Sequence, residues 1–508
     1  MVKQSIKKIT SYLFALRLFR MSLSMVSLIL SAKYFGVSLE RDMWVLVATL
    51  IVTVGGAVWG PVNETFRAKF ILLCEREGKE RAATYTVSLL VYIVIFTLII
   101  SIFILMLREQ LAGLFSTNTL EINQLRLFCL LLIVMLPTLL INQLTSIGIS
   151  ILNAYNIYYI PELVGAFSSV MNIFIIVLLA PWVGILSLAV SQYFAILLLL
   201  AAVVFYLRKT GAFRGQTLQQ VRFADFKVFL MFALPFFFPY FVGQCNSMVE
   251  KWLAGMLGQG VISTLDYARQ FTSVLQNVLS SVLTTVMLPM LTKAYARSDK
   301  VQYGDILSEN LTVCFGILAL ALPVLFGAAS PLCEFFFMRG NITPEALTLI
   351  VSLTRSFAWA FMGVLIYILV GYSLLASEQG KKYAFWGVTI QLIVLILNLL
   401  LIDSLGVYTF PLTLGLVHLF GAVMMMKSLY VENKWKLVCR IVRYAVTVWS
   451  IAFALLAFNA LFTQGDAFIR LLCNIPVLVA LVFVCSPLLN IHLVVYLKKI
   501  KQKLCKNS

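Results

Sequence analysis

The feature that most constrains the fold of this chain is a series of apolar runs, each about as long as a membrane-crossing helix. Residues 84–107, for example, contain no charged side chain. A helix needs about 20 mostly apolar residues to cross the hydrocarbon core of a bilayer. The sequence therefore predicts an all-α polytopic membrane protein with 14 transmembrane helices. The predicted spans are 12–35, 43–60, 84–107, 127–151, 162–180, 183–207, 228–248, 262–291, 306–328, 348–375, 383–402, 406–430, 441–463 and 468–490.

The composition excludes a water-soluble protein. Apolar residues make up 61% of the 508 residues, charged residues make up 12%, and the mean hydropathy is +0.98. A soluble domain usually has about 25% charged residues, because they solvate its surface. A cytosolic enzyme, a disordered chain and a small disulfide-bonded domain are therefore excluded.

The sequence also lacks the motifs of the common catalytic and metal sites. It contains no Walker motif (GxxxxGK[ST]) and no CxxC pair among its nine cysteines. It has only two histidines, which are too few for the usual zinc sites and argue against a catalytic triad. We expect neither an enzyme nor a bound cofactor or metal, so the work of such a chain is transport.

The distribution of basic residues predicts the orientation of the chain. Lys and Arg concentrate in short cytoplasmic loops of membrane proteins. With 14 spans, one side of the membrane receives 28 of the 39 basic residues, and both termini lie on that side. The net charge of +18 is therefore dispersed over many loops. This dispersal argues against nucleic-acid binding, and we expect both termini to be cytoplasmic.

Two polar breaks divide the predicted spans into groups. The triplet Phe-Ala-Leu occurs near the start of span 1, at 14–16, and near the start of span 7, at 232–234, which is a weak similarity between the halves. Six spans in each half predict two lobes related by a pseudo-twofold axis along the membrane normal, followed by a C-terminal helix pair. The predicted divisions are an N-lobe at 1–207, a cytoplasmic linker at 208–227, a C-lobe at 228–431, and spans 13 and 14 with a basic cytoplasmic tail at 432–508.

Four arginines fall inside predicted spans. Arg17 and Arg20 are one helical turn apart in span 1, Arg269 lies in span 8 and Arg355 in span 10. A charged side chain near the bilayer centre costs at least about 2.5–3.5 kcal/mol, so each is a candidate functional residue. The planar guanidinium group makes paired hydrogen bonds to phosphate and does not deprotonate. The pattern predicts a central cavity that binds an anionic, phosphate-bearing substrate.

Each of these residues has an alternative structural interpretation. Arg17 and Arg20 could extend to the inner headgroups, Arg355 to the outer ones, and Arg269 could pair with Asp266 one turn earlier. Asparagines in membrane helices often form hydrogen bonds between helices. The full set of predicted substrate-binding residues is Arg17, Arg20, Asp42, Asn63, Glu64, Asn153, Asn246, Arg269 and Arg355.

Several short stretches of the sequence form a recognisable series of motifs. They are Phe35-Gly36 with Asp42, 150–156 (SILNAYN) with Ile160-Pro161, 267–271 (YARQF), 288–293 (LPMLTK) and 337–343 (FMRGNIT). These stretches resemble the MurJ/MviN family of lipid II flippases, which belongs to the multidrug/oligosaccharidyl-lipid/polysaccharide exporter superfamily. Their order and spacing cover most of the chain, including the pair of spans that this family carries beyond its two lobes.

The chain departs from the family pattern at several charged positions. The two span 1 arginines of the family fall near Met21 and Ser27, and its span 2 pair falls at Gly55 and Gly56. The span 8 arginine lies one place earlier, at Arg269.

The resemblance implies a flippase that moves the peptidoglycan precursor lipid II from the cytoplasmic to the outer leaflet by alternating access. The polyprenyl tail would stay in the lipid, along a groove formed by spans 13 and 14. It further implies a bacterial inner-membrane protein, which we expect to be monomeric, surrounded by membrane lipids and driven by the membrane potential or a monovalent cation. Two alternatives remain, which are a Wzx-like flippase for an undecaprenyl-diphosphate-linked O-antigen, capsule or exopolysaccharide unit, and a non-transporting envelope scaffold.

Overall fold

The computed structural model describes residues 2–114, 122–155, 157–211, 213, 218–338, 341–462 and 465–490. Within these ranges it leaves out the side chains of 2–15, 17–18, 114, 122–123, 281–282 and 285–286. The side chain of Arg17, residues 339–340 of one family-like stretch and most of the predicted basic tail therefore lie outside the description.

The described residues form two compact units, Met1–Ser263 and Thr264–Ser508. All of their regular structure is helical, which confirms the all-α prediction. The first unit contains α1 (Val2–Phe35), α2 (Leu39–Glu77), α3 (Lys79–Met106), α4 (Arg108–Leu114), α5 (Ile122–Met135), α6 (Pro137–Ala154), α7 (Tyr159–Val183), α8 (Leu186–Thr210) and α9 (Phe223–Met256).

The second unit begins within the first turn of α10 (Val261–Val282). A π-helical turn, Leu283–Met287, follows this helix. The remaining helices are α11 (Leu288–Ala296), α12 (Lys300–Gly327), α13 (Ala329–Phe337), α14 (Pro344–Ala376), α15 (Gly380–Leu405), α16 (Thr409–Met426), α17 (Lys434–Leu461) and α18 (Ala467–Cys485).

Each predicted span overlaps a helix, and eleven helical segments of the described chain are long and apolar enough to cross a membrane. The chain is thus a multi-pass membrane protein. One of the eleven segments, Gly380–Met426, contains both α15 and α16, whereas α1 and α10 are not among the eleven. Those two helices carry predicted substrate-binding arginines. The exact count of 14 spans stays a prediction.

In the first unit, α2 and α9 pack as an antiparallel pair. Gly60 of α2 lies against the ring of Tyr240, and a Cβ atom at Gly60 would come within 2.5 Å of that ring. Gly56, one turn earlier, lies against the side chain of Gln244, one turn later on α9. The Phe66 ring meets Phe229 with centroids 5.1 Å apart. Glycine at two positions therefore permits a close approach of the helices.

This pairing places α9 in the first compact unit, whereas the predicted division assigns the corresponding span, 228–248, to the C-lobe. The predicted division comes from similarity between the halves of the sequence, and the compact units come from packing. The lobe boundaries stay a prediction.

In the second unit, α12 and α17 pack as a parallel pair. The Thr312 and Tyr444 hydroxyl groups are 2.9 Å apart, and further along both helices Gly327 lies against Leu455 and the carbonyl oxygen of Ala452. The final helix, α18, is attached through α13, where Phe335 stacks on Phe468 with ring centroids 5.7 Å apart. The C-terminal helix pair is therefore part of the second unit.

Candidate functional site

Arg20 lies at the contact between α1 and α7. Its Nη1 is 3.8 Å from Oε2 of Glu162, and a Cβ atom at Gly165 would come within 2.9 Å of the same nitrogen. The Arg20 side chain is 52% exposed and that of Glu162 is 17% exposed. An incoming phosphate group could therefore reach the guanidinium group, in competition with Glu162. Arg17 lies one turn earlier on α1, and its side chain is outside the described part of the chain.

Asp42 is buried, and its carboxylate caps the start of α10. Oδ2 accepts the backbone N–H of Gly260, and Oδ1 accepts both the N–H and the hydroxyl of Ser263, at 2.5–2.8 Å. A carboxylate at this end of a helix interacts favourably with the exposed N–H groups and the helix dipole. Protein donors thus occupy both oxygens of Asp42, which gives this residue a structural partner in addition to its predicted role.

Asn63 and Glu64 lie on α2 within a group of polar side chains. Asn63 and Gln143 of α6 exchange two amide hydrogen bonds of 2.9 Å each. The Tyr240 hydroxyl donates to Oε2 of the exposed Glu64 at 3.2 Å. We refer to Asn63, Glu64, Gln143 and Tyr240 as the α2 polar cluster. Its mixture of amide, carboxylate and phenol groups suits the hydroxyl and amide groups of a saccharide.

Sequence reasoning missed two members of this cluster. Gln143 and Tyr240 are 80 and 176 residues away from their partners. The sequence offered only the presence of polar groups within apolar runs as a signal, and many such groups occur in this chain.

Gly55 and Gly56, where the sequence resemblance implies an arginine pair, make close packing contacts in this chain. A Cβ atom at Gly56 would come within 2.7 Å of the Gln244 amide, and one at Gly55 would come within 3.1 Å of Leu139. The amide end of Gln244 therefore lies beside the position from which an arginine side chain would extend.

The other two predicted asparagines are half-buried. Asn153 lies in the last turn of α6, and Asn246 lies on α9, two residues after Gln244. The structure thus places Asn63, Glu64 and Gln244 around the α2–α9 pair, whereas Arg20 belongs to the α1–α7 contact.

In the second unit, Arg269 of α10 stacks on an aromatic ring of α14. Its guanidinium carbon is 4.8 Å from the centroid of Phe357, which is fully buried. Cation–π contacts of this kind contribute about 0.5–2 kcal/mol and fix the plane of the guanidinium group. The aromatic face of Phe357 therefore fixes the orientation of the Arg269 side chain.

Arg355 lies two residues before Phe357 on α14. Its Nε donates to the carbonyl oxygen of Phe326, near the end of α12, at 3.2 Å. This bond uses one of the five N–H donors of the group. The structure thus brings Arg269 and Arg355 to the same short segment of α14.

Among the described residues, no group of three His, Cys, Asp or Glu side chains has a geometry that could hold a metal ion.

An apolar groove of about 670 Å³ lies between α14, α16 and α17. Trp359, Leu419, Ile441, Val446 and Phe453 are among the residues that line it, and Ser450 is its one aliphatic hydroxyl. The groove differs from the predicted one, because α17 lines it while α18 does not.

Comparison with known proteins identifies the family. The family model of the lipid II flippase MurJ matches residues 31–477. The lipid II flippase MurJ of Burkholderia cenocepacia is 23% identical over 198 residues, which are 39% of this chain and 38% of that protein. The probable lipid II flippase MurJ of Rickettsia prowazekii is 26% identical over 229 residues, or 42% and 43% of the two chains. These alignments thus span less than half of each curated relative.

Solved structures show the same fold. A structure described as lipid II flippase MurJ in an inward closed conformation matches with a TM-score of 0.78 and 19% identity, over 94% of this chain and 99% of that chain. An inward-facing multidrug resistance MATE family transporter of the MOP superfamily matches with a TM-score of 0.66 and 13% identity, over 80% and 92% of the chains. Because the family model matches most of its length, the chain belongs to the lipid II flippase MurJ family.

Proposed function

We propose that this protein is a flippase that moves a polyprenyl-diphosphate-linked saccharide, the peptidoglycan precursor lipid II, from the cytoplasmic to the outer leaflet by alternating access. The observation that carries the proposal is the match of the family model over residues 31–477. The chain acts as a transporter, and we assign no covalent step to it.

The arginines bind the diphosphate in this proposal. Arg20 is half-exposed beside Glu162, and Arg269 and Arg355 meet α14 through an aromatic face and a carbonyl oxygen. A hydrogen bond to a charged group contributes about 1.5–3 kcal/mol, so bonds from Arg20 to a diphosphate outweigh its half-exposed ion pair with Glu162. Arg17 is assigned to the same role from its position one turn before Arg20.

The α2 polar cluster is assigned to the saccharide. Asn63 and Gln143 satisfy each other when no substrate is bound, and the carboxylate of Glu64 is exposed beside the Tyr240 hydroxyl. Sugar hydroxyl groups can replace these internal partners one for one. A substrate that leaves the buried Gln143 amide unpaired would bind less well, so this cluster would contribute to specificity.

The groove between α14, α16 and α17 is assigned to the polyprenyl tail. Its volume of about 670 Å³ and its apolar lining suit an isoprenoid chain that remains in contact with lipid. Because the tail is already in an apolar solvent, the groove would contribute to affinity through packing contacts and not through removal of apolar surface from water.

We place the protein in the bacterial inner membrane as a monomer, with both termini in the cytoplasm. The support is the concentration of Lys and Arg in alternate loops. The membrane potential is the energy source that we propose, with a monovalent cation as the alternative. Moving one charge across 100 mV is worth about 2.3 kcal/mol, so a dianionic headgroup gains roughly 4–5 kcal/mol on export from a negative interior.

The test of the substrate is complementation of a strain depleted of its lipid II flippase. Rescue of growth by this chain selects the peptidoglycan precursor. Failure to rescue, with the protein present in the membrane at normal levels, would contradict the lipid II assignment. A matched variant in which Arg20, Arg269 and Arg355 are all Ala should be expressed but should not rescue.

A second substrate is favoured by one specific observation. The sequence resemblance implies an arginine pair at Gly55 and Gly56, and in this chain Gln244 packs against Gly56 instead. A less basic site suits a different headgroup, so a Wzx-like flippase for another undecaprenyl-diphosphate-linked glycan is the alternative. Transport of such a glycan by reconstituted protein, combined with failed complementation, would select it.

A binding assay separates both flippase proposals from a scaffold role. Purified protein in nanodiscs is titrated with a short-chain polyprenyl diphosphate sugar. A flippase shows saturable binding, and the triple arginine variant loses it. A scaffold shows no saturable binding in either form of the protein.

A further inference from the structure

A small cleft with charges of both signs lies between the first turns of α12 and α17. Its volume is about 170 Å³. Three basic and two acidic side chains line it together with Gly304. The charged residues are Lys300, Asp305, Glu432, Lys436 and Arg440.

We place the cleft at the headgroup level of the membrane from the course of the two helices. Both α12 and α17 are apolar enough to cross a membrane, and the Thr312–Tyr444 and Gly327–Leu455 contacts show that they run in parallel. The two helices therefore start at the same end, where the cleft is. Trp435 next to the cleft is 74% exposed, and tryptophan is enriched at membrane–water interfaces.

The five charged groups of the cleft are available to a ligand. Within the described part of the chain, the salt bridges of up to 4.0 Å do not include any of them. The ammonium group of Lys300 lies 5.3 Å from the centroid of the Tyr430 ring, a contact that leaves its N–H donors available to an anion. Lysine and arginine bind phosphate, whereas two carboxylates oppose a purely anionic ligand and favour a group that carries N–H donors.

Gly304 makes room for such a ligand. A Cβ atom at this position would have a single neighbour within 4.0 Å, a methyl group of Val431 at 4.0 Å. The helix surface is therefore open at Gly304, and a larger side chain there would fill the cleft without displacing backbone.

We propose that this cleft binds the headgroup of a zwitterionic phospholipid of the phosphoethanolamine type. The phosphate binds to Lys300, Lys436 and Arg440, and the primary ammonium group donates to Asp305 and Glu432. A phosphatidylcholine headgroup has no N–H to donate, and a phosphatidylglycerol headgroup leaves both carboxylates facing an anion. The site is distinct from the groove assigned to the polyprenyl tail, and it does not depend on the transported substrate.

The test uses the full chain in nanodiscs that contain equal amounts of phosphatidylethanolamine, phosphatidylcholine and phosphatidylglycerol. The protein is re-extracted in mild detergent, and the lipids that stay bound are quantified by mass spectrometry. We expect phosphatidylethanolamine to be enriched at least threefold over each of the other two. Enrichment of phosphatidylglycerol in the wild-type protein, or equal retention of all three, would overturn the proposal.

Three variants locate the enrichment at the cleft. Gly304→Leu fills it, and the double variant Lys436→Ala/Arg440→Ala removes phosphate donors, so both should lose the enrichment. Asp305→Asn/Glu432→Gln should shift the preference to phosphatidylglycerol. Arg443→Ala is the matched control, because Arg443 lies one turn beyond Arg440 and stacks on Tyr444, outside the cleft. Unchanged enrichment in Gly304→Leu would place the lipid elsewhere and overturn the assignment.

A competition arm identifies the source of the headgroup. Soluble glycerophosphoethanolamine, added at the same concentration as the lipid, should leave the bound phosphatidylethanolamine in place, because acyl chains hold the lipid at the cleft. Displacement at equal concentration would overturn a membrane lipid as the ligand.

Discussion

The carboxylate of Asp42 accepts a hydrogen bond from the backbone N–H of Ser263 at 2.8 Å. These residues are 221 positions apart in the chain. The residue before α10 is Gly260, which has no side chain with which to cap the helix. Asp42 of α2 supplies the cap that is normally provided by the neighbouring residue, and it thereby fixes the start of α10 to α2.

Replacement of Asp42 by Ala should destabilise the protein. Three hydrogen bonds are lost and buried donors are left unpaired, which costs about 1–3 kcal/mol for each unsatisfied group. We expect a lower unfolding temperature for the purified protein, measured by differential scanning fluorimetry. Asp42→Asn keeps one acceptor oxygen, so its unfolding temperature should lie between those of the wild-type protein and Asp42→Ala. Glu40→Gln, at an exposed position of the same helical turn, is the control, and an equal effect of Glu40→Gln would argue against the capping role.

Replacement of Glu162 by Gln should strengthen substrate binding. The Arg20–Glu162 pair spans 3.8 Å, and the arginine is half-exposed, so the pair contributes about 0–1 kcal/mol to stability. The variant should therefore fold normally while its arginine is free to bind a phosphate group. In a nanodisc titration with a polyprenyl diphosphate sugar, we expect the dissociation constant to fall several-fold. Arg20→Ala should raise it at least tenfold. Weaker binding by Glu162→Gln would contradict the role of Arg20 in binding the diphosphate.

Two glycines of α2 should respond differently to alanine. Alanine is favoured over glycine in a helix by about 1 kcal/mol. At Gly56 the new methyl group meets the flexible end of Gln244, which can move away, so the change should be close to neutral. At Gly60 it meets the ring of Tyr240, and overpacking of this kind costs about 1–3 kcal/mol.

The measurement is the unfolding temperature of Gly56→Ala and Gly60→Ala under identical conditions. Gly60→Ala should unfold at a lower temperature, and the double variant Gly60→Ala/Tyr240→Leu should recover part of the loss. If Gly60→Ala unfolds at a lower temperature but the double variant shows no recovery, the Tyr240 ring is not the cause of the destabilisation.

The sequence was sufficient to predict the helices because a bilayer leaves few alternatives. Backbone groups in lipid are satisfied within a helix, so an apolar run such as 84–107 can be assigned with no knowledge of its neighbours. The same reasoning is weakest over residues 228–291, where polar side chains interrupt the apolar pattern.

The partners of the site residues could not be predicted in this way. The sequence predicts that Arg20 lies on a helix, but nothing in the local sequence connects it with Glu162. For Arg269 the sequence offers Asp266 as a local partner, and the structure adds a contact with Phe357 of α14. Periodicity reports which face of a helix a residue occupies, whereas pairing depends on how helices pack.

Blocking the apolar groove should weaken binding of the polyprenyl lipid without unfolding the protein. Ala445 of α17 lines the groove between α14, α16 and α17, and Ala445→Trp would occupy part of its 670 Å³. If the groove holds the polyprenyl tail, the variant should bind a water-soluble diphosphate sugar with unchanged affinity but should lose at least tenfold in binding of the full polyprenyl lipid. Val484→Trp is the control, because Val484 is 73% exposed on α18 and does not line the groove. Both affinities are measured in nanodiscs, and equal loss for the soluble and lipid-linked ligands would show that the groove does not select the tail.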